Sequence, residues 1–422
     1  MSNAWTYTAT CQTLGLTNQM EWFRTQWDQA AEAFDPAGDW LPTEAQAAEY
    51  CAWIGMTDEV SRLVVQGVRE VRHKPALVML AWQYYWAMFL PAAIRPWTPV
   101  PWFMLPPAPP EQDFAGRMFQ AVVILSGIPR YRTEHAARGI PEKISRDNLL
   151  GIELWMHNYR QRFGQWGFDR GSWLANHITD RLVRMQRLEF GLSRFAFGFT
   201  LLRERCGEHR VVALADSGLR LRQDGRYQNA QGTPADDPGW GTYLMGNEKT
   251  ITGYPVVEPN VVAREPVTLD LSQWEVVLQA GDPVLDIHIP ARGKMDIAAC
   301  DESFAQAMTF FPRYYPEHVF KAFTCGSWLV DPQLAQQMPG SNMAHFAQRY
   351  HHLPADGAND GQVYDLGLGG RCPLDKAPKD TTLRRILVEH MGKGGQWWYT
   401  NGVILREECA ATAGGHRRLP GV

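Results

Sequence analysis

The stretch that decides the fold runs from residue 284 to residue 330 and reads "VLDIHIPARGKMDIAACDESFAQAMTFFPRYYPEHVFKAFTCGSWLV". Polar and apolar residues alternate in "VLDIHIP" (284–290), which predicts a strand, and "HVFKAFTCGSWLV" (318–330) predicts a second one. Between them, "ARGKMD" (291–296) predicts a loop and "IAACDESFAQAMTFFPRYY" (297–315) predicts a helix. The order strand, loop, helix, strand predicts a region that mixes helices with a sheet.

The segments on either side continue this mixed pattern. Upstream, "RLVRMQRLEFGLSRFAFGF" (181–199) alternates in places and predicts strands. Residues 215–248 are rich in Gly, Asp and Asn, which predicts loops around short strands. The downstream predictions are helical pieces over 331–353, a strand at "VYDLGLGG" (363–370), a helix over "TTLRRILVEHMGKGG" (381–395) and a final strand in "QWWYTNGVILRE" (396–407).

The first part of the chain has the periodicity of helices. "TEAQAAEYCAWIG" (43–55) and "TDEVSRLVVQGVREVR" (57–72) each open with a threonine that suits a helix N-cap. "PALVMLAWQYYWAMFLPAAI" (75–94) nearly reaches membrane length, but it contains Gln83 and ends at prolines, so we predict a buried helix. The proline-dense residues 91–113 cannot form a regular helix.

The hydrophobic period changes near residue 180, which predicts two domains. We predict an α+β fold with a helical N-terminal domain over residues 1–175. A mixed α/β domain with a largely antiparallel central sheet is predicted over residues 176–408. Residues 409–422 are small and polar, which predicts a loose tail.

The charge and the cysteines exclude several functional classes. The 41 basic and 45 acidic residues give a formal charge of −4, which provides no strong field to recruit nucleic acid or a membrane surface, so we predict neither partner.

The seven cysteines are scattered singly, which argues against a zinc site or a disulfide framework and for a reducing compartment. The N-terminus shows no signal-peptide pattern, so we predict a cytoplasmic protein. No Cys or paired carboxylate completes a ligand set around His345, His351 and His352, so we predict no metal site.

The loop at 291–296 is a candidate anion site. Arg292 and Lys294 flank Gly293 between a predicted strand and a predicted helix. Backbone N–H groups and the helix dipole at such a corner suit a pyrophosphate. Corners of this kind are common, and from these residues alone an ordinary solvated loop is the alternative.

Two sets of motifs carry a resemblance to known acyltransferases. The order strand, loop, helix, strand, followed by "SNMAHFAQRY" (341–350), resembles the core of the GNAT acyltransferases. That family has an N-x-x-A-x-x-Φ-Y segment whose tyrosine lies near the coenzyme A sulfur. Here the alanine comes one place early and Tyr350 one place late, and "ARGKMD" stands in place of the usual Q/R-x-x-G-x-G/A loop.

A narrower resemblance is to a bacterial family with a helical N-terminal acyltransferase region and a GNAT-like C-terminal domain. Its signatures occur in order, from roughly residue 120 to residue 405, as "ARGIPEKI", "RLVRMQRLEF", "LDIHIPARGKM", "CDESFAQAMTFF", "CGSWLVDPQLAQQMPGSNMAHFAQRY" and "PKDTTLRRILVEHMGKGGQWW". One departure is visible, because the family often reads Cys-His-Ser-Trp where this chain has Gly326 as the second residue.

The resemblance implies that an acyl-CoA donates the acyl group and that the second domain is GNAT-like. It also places the strand at 318–330 beside the strand at 284–290, with the pantetheine arm between them. We predict that the acyl-CoA is bound by Ile289, Arg292, Gly293, Lys294, Trp328 and Asn342.

Three residues are candidates for catalysis. His288 lies where a GNAT often has its general base, and alternation puts Asp286 on the same face; the alternative is a hydrogen-bonded, half-buried histidine. Cys325 could be a nucleophile if His288 activated it, or a buried lining residue, and alternation predicts that Trp328 faces the other side. Tyr350 could be a general acid or a packing residue. We predict direct transfer with His288 as base.

These observations together predict an acyl-CoA-dependent acyltransferase that moves its acyl group to an amine on a small molecule or peptide. The alternative is a non-catalytic ligand-binding or scaffold protein that keeps a GNAT-like fold. The absence of the usual glycine loop motif favours that alternative.

Overall fold

Two compact units, Met1–Arg184 and Met185–Val422, make up the chain. The structure is a computed structural model that describes residues 5–16, 21–36, 38–89, 105–106, 111–229, 236–290, 293–355 and 360–412. The first unit extends past residue 175, where the sequence pattern places the division between domains.

Up to Ile178, helices make up the regular structure of the first unit in its described residues, as predicted, and the unit ends within strand β1 (Leu182–Met185). They are α1 (Tyr7–Leu14), α2 (Glu21–Arg24), α3 (Trp27–Glu32), α4 (Glu44–Ile54), α5 (Asp58–Arg72), α6 (Pro75–Phe89), α7 (Phe114–Ser126), α8 (Ile128–Arg138), α9 (Glu142–Leu149), α10 (Gly151–Phe163) and α11 (Gly171–Ile178).

Caps and close packing explain why these helices start and meet where they do. Thr43 and Gln46 form a reciprocal capping box at the start of α4, which satisfies N–H groups that have no partner inside the helix. Helix α5 buries one stripe of valines, at positions 60, 64, 68 and 71. Gly67 lies so close to α7 that a Cβ atom there would be 2.7 Å from Cβ of Met118, so glycine permits the close approach of these two helices.

The long apolar segment forms helix α6, which is buried along most of its length, Gln83 included. The predicted buried helix is therefore confirmed for residues 75–89. Residues 90–104 and 107–110, which include most of the proline-dense stretch, lie outside the described residues. Among the helices that the structure describes, none is long and apolar enough to cross a membrane.

A six-stranded sheet is the centre of the second unit. Its strands lie in the order β1-β2-β13-β14-β16-β15. In the described part of the chain the strands are β1 (Leu182–Met185), β2 (Leu188–Arg194), β3 (Phe199–Glu204), β4 (Val211–Ala215), β5 (Arg220–Leu221), β6 (Trp240–Gly241), β7 (Met245–Gly246), β8 (Thr250–Gly253), β9 (Val256–Glu258), β10 (Val261–Val262), β11 (Val267–Asp270), β12 (Trp274–Leu278), β13 (Pro283–His288), β14 (Ala322–Ser327), β15 (His351–Pro354) and β16 (Thr400–Leu405). The helices of the second unit, in its described residues, are α12 (Ile297–Tyr314), α13 (Pro332–Gln337), α14 (Asn342–Ala347), α15 (Asp360–Gln362), α16 (Thr382–Gly392) and α17 (Arg406–Thr412).

The central sheet is largely antiparallel, as predicted. Strand β13 runs antiparallel to β2, and β16 runs antiparallel to both of its neighbours, β14 and β15. Strands β13 and β14 are parallel, since helix α12 crosses over between them. The strand–loop–helix–strand order read from residues 284–330 is therefore confirmed.

The two faces of this sheet have different coverings. On one face, Phe304 of α12 packs against Phe190 and Phe323, with ring centroids 5.9 and 5.0 Å apart. On the other face, Val284 and Ala322 join a cluster with residues of β3 and β4. Because side chains alternate along a strand, each strand of the sheet contributes to both layers.

Four segments differ from the sequence-based prediction. Residues His351–Pro354 form strand β15 at the edge of the sheet, paired with β16, where the sequence predicts the end of a helical piece, because pairing with a distant strand is not a local property. Residues Val363–Leu368 form a π-helix instead of a strand, with Gly367 packed against Leu387 of α16, since a short apolar segment without flanking signals fits either structure. Trp328 begins a single 3-10 turn, so strand alternation ends at Ser327 and cannot place the Trp328 side chain. The predicted loose tail is helical as far as Thr412, and residues 413–422 lie outside the described part of the chain.

Candidate active site

A gap between two neighbouring strands is the central feature of the site. Parallel pairing of β13 with β14 ends at Asp286 and Thr324. Beyond this point β13 continues to His288 while paired with β2, and β14 continues to Ser327 while paired with β16. The two strands thus keep their outer neighbours but no longer pair with each other.

Two carboxylates and a hydroxyl surround His288 on one face of this sheet. Nε2 of His288 lies 3.3 Å from Oδ2 of Asp286, and the hydroxyl of Thr324 donates to Oδ1 of Asp286 over 3.1 Å. Glu189 of β2 lies opposite His288 in the antiparallel register and is buried. The imidazole is 37% exposed, so it remains accessible to a substrate.

The charges around His288 favour its protonated form. Burial by itself lowers the pKa of the imidazole, whereas the hydrogen bond and charge of Asp286, together with the charge of Glu189, raise it. The net result is a pKa above the ordinary value for histidine. His288 can therefore accept a proton near neutral pH and hold it as a carboxylate-paired imidazolium.

Cys325 lies on the other face of the sheet, together with Tyr350. The register pairs Cys325 with Gly402, and a Cβ atom at Gly402 would lie 2.6 Å from the Tyr350 ring. Burial raises the pKa of the Cys325 thiol far above its ordinary value, and the charge of Asp286 acts in the same direction. Burial also raises the pKa of Tyr350 well above the usual range. A thiol in these surroundings stays protonated and is a weak nucleophile.

The structure therefore sorts the three candidate catalytic residues into two groups. In the register of β13 and β14, Asp286 lies beside Thr324, so the side chains of Asp286 and His288 are on the same face of the sheet as Thr324. Cys325 is the next residue and belongs to the opposite face. His288 is brought together with two carboxylates, and Cys325 is brought together with Tyr350. The strand geometry does not place the imidazole against the thiol.

Tyr399 is a residue that the sequence reading missed. A Cβ atom at Gly326 would lie 2.6 Å from the Tyr399 hydroxyl, so the phenol occupies the space that a side chain at position 326 would take. Gly326 alternates with Cys325 and so lies on the face of Asp286 and His288. Burial raises the pKa of Tyr399 to about 12, and the charges of Cys325 and Asp286 act in the same direction.

The predicted phosphate loop is tied down by Arg187, another residue that the sequence reading missed. Its guanidinium donates to the carbonyl oxygens of Lys294, Pro290 and Gly293 over 2.9, 3.1 and 3.4 Å. Gly293 has a φ of +89°, which glycine adopts readily, and both Gly293 and Lys294 are exposed. Arg292 lies outside the described residues.

The other predicted coenzyme A contacts lie in different surroundings. Ile289 directly follows β13 and is half-buried. Asn342 is exposed at the first position of α14. Trp328 is buried in an apolar cluster with Leu334 and Trp397. Of these three, Ile289 is the one that adjoins the gap in sequence.

Signals for some of the missed residues were present in the sequence. Glu189 interrupts an apolar strand segment between Leu188 and Phe190, and an acid at such a position predicts a special environment. Nothing in the sequence pairs it with His288, because register between distant strands is not a local property. No sequence pattern marks Tyr399, because the position of its phenol depends on the space that glycine leaves at position 326.

Within the described residues there is no group of three or more His, Cys, Asp and Glu side chains that could hold a metal ion.

The fold and the gap between β13 and β14 define a GNAT-like transferase architecture. A family model described as GNAT-like C-terminal domain matches residues 182–404, and one described as N-acyltransferase N-terminal domain matches residues 45–179. Since the first match alone spans more than half of the 422 residues, the chain belongs to the family with this GNAT-like C-terminal domain. The resemblance seen in the sequence is confirmed.

Solved structures of acyltransferases share the fold. An acyltransferase variant in complex with octanoyl-CoA has a TM-score of 0.65 at 20% identity, and an acyltransferase in complex with decanoyl-CoA and teicoplanin has 0.65 at 21%. An acyltransferase in complex with CoA and 10C-teicoplanin has a TM-score of 0.64 at 21% identity. Each comparison covers 94% of this chain and 98% of the other. No curated protein matches the sequence.

Proposed function

We propose that the protein transfers an acyl group from an acyl-CoA to an amine by direct attack. The gap between β13 and β14, with His288 at its edge, is the observation that carries the proposal. We assign an extended pantetheine arm to this gap, where its amide groups would pair with backbone groups as an added strand does. Family membership and the acyl-CoA complexes of structures with the same fold support this function.

In this proposal His288 is the general base. An amine must lose a proton as its nitrogen attacks the thioester carbon, and a half-exposed imidazole can take that proton. Asp286 and Glu189 stabilise the imidazolium that forms, and Thr324 orients Asp286 through its hydrogen bond. The two carboxylates also favour the approach of a positively charged amine.

Cys325 is assigned to the lining of the gap and not to a covalent step. Its thiol is 1% exposed and belongs to the face opposite His288. A covalent intermediate would require a base to activate this thiol, because its raised pKa keeps it protonated at neutral pH. Direct attack needs no such group.

The diphosphate of coenzyme A is assigned to the loop before α12. Arg187 holds this loop by its carbonyl groups, and the exposed Gly293 and Lys294 supply donors and positive charge. A contact from Arg292, which lies outside the described residues, stays a prediction. Asp296 caps α12 by accepting the N–H of Ala299, so this N–H group at the helix N-terminus is already used. The donors for the diphosphate are therefore assigned mainly to the loop. Contacts from Ile289, Trp328 and Asn342 remain predictions.

The acyl donor is proposed to carry a medium-length chain. The acyltransferases with this fold were solved with octanoyl-CoA and decanoyl-CoA, and two of them with teicoplanin or a derivative of it. For the present chain we propose decanoyl-CoA as the first donor to test. Teicoplanin and simple primary amines are the first acceptors.

Two measurements on the purified protein test this function. Coenzyme A and decanoyl-CoA should raise the melting temperature, because ligands that bind the folded state stabilise it. Mass spectrometry should detect a decanoyl amide when decanoyl-CoA and an accepting amine are both present. Stabilisation without any acylated amine across the panel would favour the non-catalytic alternative, and no stabilisation at millimolar coenzyme A would contradict both.

A further inference from the structure

Two arginines of the loop that follows β5 lie over one tryptophan ring. The guanidinium carbons of Arg222 and Arg226 are 5.8 and 5.0 Å from the centroid of the Trp398 ring. Both guanidinium groups also pair with Oδ2 of Asp224, over 3.0 and 3.1 Å. A guanidinium is attracted to the face of an indole ring, so Trp398 holds this arginine pair in place.

Arg226 keeps hydrogen-bonding capacity that its neighbours do not use. Within the described residues, Asp224 is the only hydrogen-bond partner of the Arg226 side chain, and Nε of Arg226 has no partner. Asp224 is shared with Arg222, so it neutralises the charge of Arg226 only in part. The Arg226 side chain is 27% exposed, which lets a solute reach it. A guanidinium with free donors suits a second carboxylate.

The arginine pair lies on the same side of the central sheet as His288. Between the two arginines, the carbonyl oxygen of Gly225 accepts the N–H of Val262 over 3.0 Å, which ties the loop to β10. Val262 belongs to the apolar cluster that also contains Val284. Val284 and His288 lie four residues apart in β13, so alternation puts their side chains on one face.

His288 and Trp398 also lie at the same end of that sheet. Gly326 of β14 comes two residues after the last pairing with β13, as His288 does, and it pairs with Asn401 of β16. Trp398 precedes Asn401 by three residues. Two strand spacings of about 4.8 Å and three residues of about 3.3 Å each put Trp398 roughly 14 Å from His288.

We propose that Arg226, together with Arg222, binds a carboxylate of the acceptor, and that the acceptor is a peptide or peptide-like amine. This inference rests on the proposed function, since it assumes that the reacting amine lies at His288. The two ends of the acceptor site then have opposite charges, with Asp286 and Glu189 beside the amine and the arginine pair beside the carboxylate.

The distance between the two ends sets the length of the acceptor. An extended peptide spans at most about 3.3–3.6 Å per residue, so roughly four residues reach from His288 to the arginine pair. A dipeptide is too short to contact both ends at once.

The test uses the tetrapeptide Gly-Gly-Gly-Tyr as the free acid and as the C-terminal amide. Titration calorimetry at millimolar coenzyme A should show that the wild type binds the acid about tenfold more tightly than the amide, because the amide has no charge to pair with Arg226. The dipeptide Gly-Tyr should show a smaller preference for its acid.

Variants of Arg226 assign the preference to one side chain. Arg226→Gln should abolish it, and Arg226→Lys should restore part of it, since lysine keeps the charge but not the planar fork of donors. The matched control is Arg210→Gln, which removes an arginine 5.9 Å from the ring of Trp274 and should keep the preference. With decanoyl-CoA as donor, Arg226→Gln should raise KM for the free acid about tenfold and leave kcat and KM for decanoyl-CoA unchanged.

The outcomes separate this inference from the proposed function. A wild type that acylates other amines but binds the acid and the amide equally, or binds neither, would overturn the inference alone. A preference that survives in Arg226→Gln would do the same. A protein that prefers the acid through Arg226 but acylates no amine would contradict the proposed function and keep the carboxylate site.

Discussion

Among single residues, His288 has the surroundings that matter most for the proposed chemistry. Asp286, two residues earlier in the strand, lies 3.3 Å from its Nε2 atom, and Glu189 lies opposite it on β2. The strand period of two makes the first contact predictable from sequence, whereas the second depends on the register of distant strands. Both carboxylates act against burial and raise the pKa of the imidazole.

The variant Asp286→Asn should shift the pH dependence of activity toward acid. A general base must be unprotonated, so kcat/KM falls as the pH drops through the pKa of His288. Without the Asp286 charge this pKa decreases, and the acidic limb of the profile should move to lower pH. The control Thr324→Val keeps both carboxylates and should move the limb less. An acidic limb that stays in place in Asp286→Asn would contradict the assignment of His288 as the titrating base.

Replacement of Cys325 by alanine should keep most of the turnover. The thiol is buried and protonated and lies on the face opposite His288, so it has no step to perform in direct transfer. Intact-protein mass spectrometry of the wild type after mixing with decanoyl-CoA should show no added acyl group. An acyl adduct that disappears in Cys325→Ala would establish ping-pong chemistry instead.

Among the structural elements, the loop before α12 is contacted at three carbonyl groups by one arginine side chain. Arg187 donates to three of its carbonyl groups, so its removal frees the loop while leaving β13 intact. Arg187→Ala should raise KM for decanoyl-CoA about tenfold, which corresponds to about 1.4 kcal/mol, with kcat nearly unchanged. The control Arg194→Ala removes an arginine of β2 that donates to Gly281 and should leave KM unchanged. A fall in kcat without a change in KM would contradict the role of this loop in coenzyme A binding.

The cap of α13 should matter more for stability than the cap of α12. Asp331 is buried and accepts the N–H groups of Gln333 and Trp398 over 2.9 and 2.6 Å, so it joins two segments. Asp296 accepts one N–H, from Ala299, at an exposed position. Urea unfolding should show a cost of about 2–3 kcal/mol for Asp331→Ala and about 1 kcal/mol for Asp296→Ala. Equal costs would contradict a joining role for Asp331.

The elements also show where sequence reasoning succeeds and where it stops. Strand β13, helix α12 and strand β14 follow from alternation and from the change of period between strand and helix. The π-helix at Val363–Leu368 does not, because its apolar residues also fit a strand and Gly367 is selected by contact with Leu387. Local patterns identify long elements, because the hydrophobic period repeats several times in them. Tertiary contacts decide the structure of short elements.

For the molecule as a whole, the sequence predicts the class of fold better than it predicts the site. The helical first part, the mainly antiparallel sheet and the family resemblance are all predicted from the sequence and are confirmed. The sorting of His288 and Cys325 onto opposite faces required the register of β13 against β14. The places of Arg187 and Tyr399 required contacts between segments that are distant in sequence.

The release of coenzyme A from decanoyl-CoA, measured with and without an accepting amine in wild type and His288→Ala, tests the central claim most directly. We predict amine-dependent release in the wild type and a loss on the order of 10²-fold or more in His288→Ala, because the general base is removed. Melting temperatures of the two proteins should agree, so that the loss reports on chemistry. Release by a folded His288→Ala variant at the wild-type rate would contradict the account.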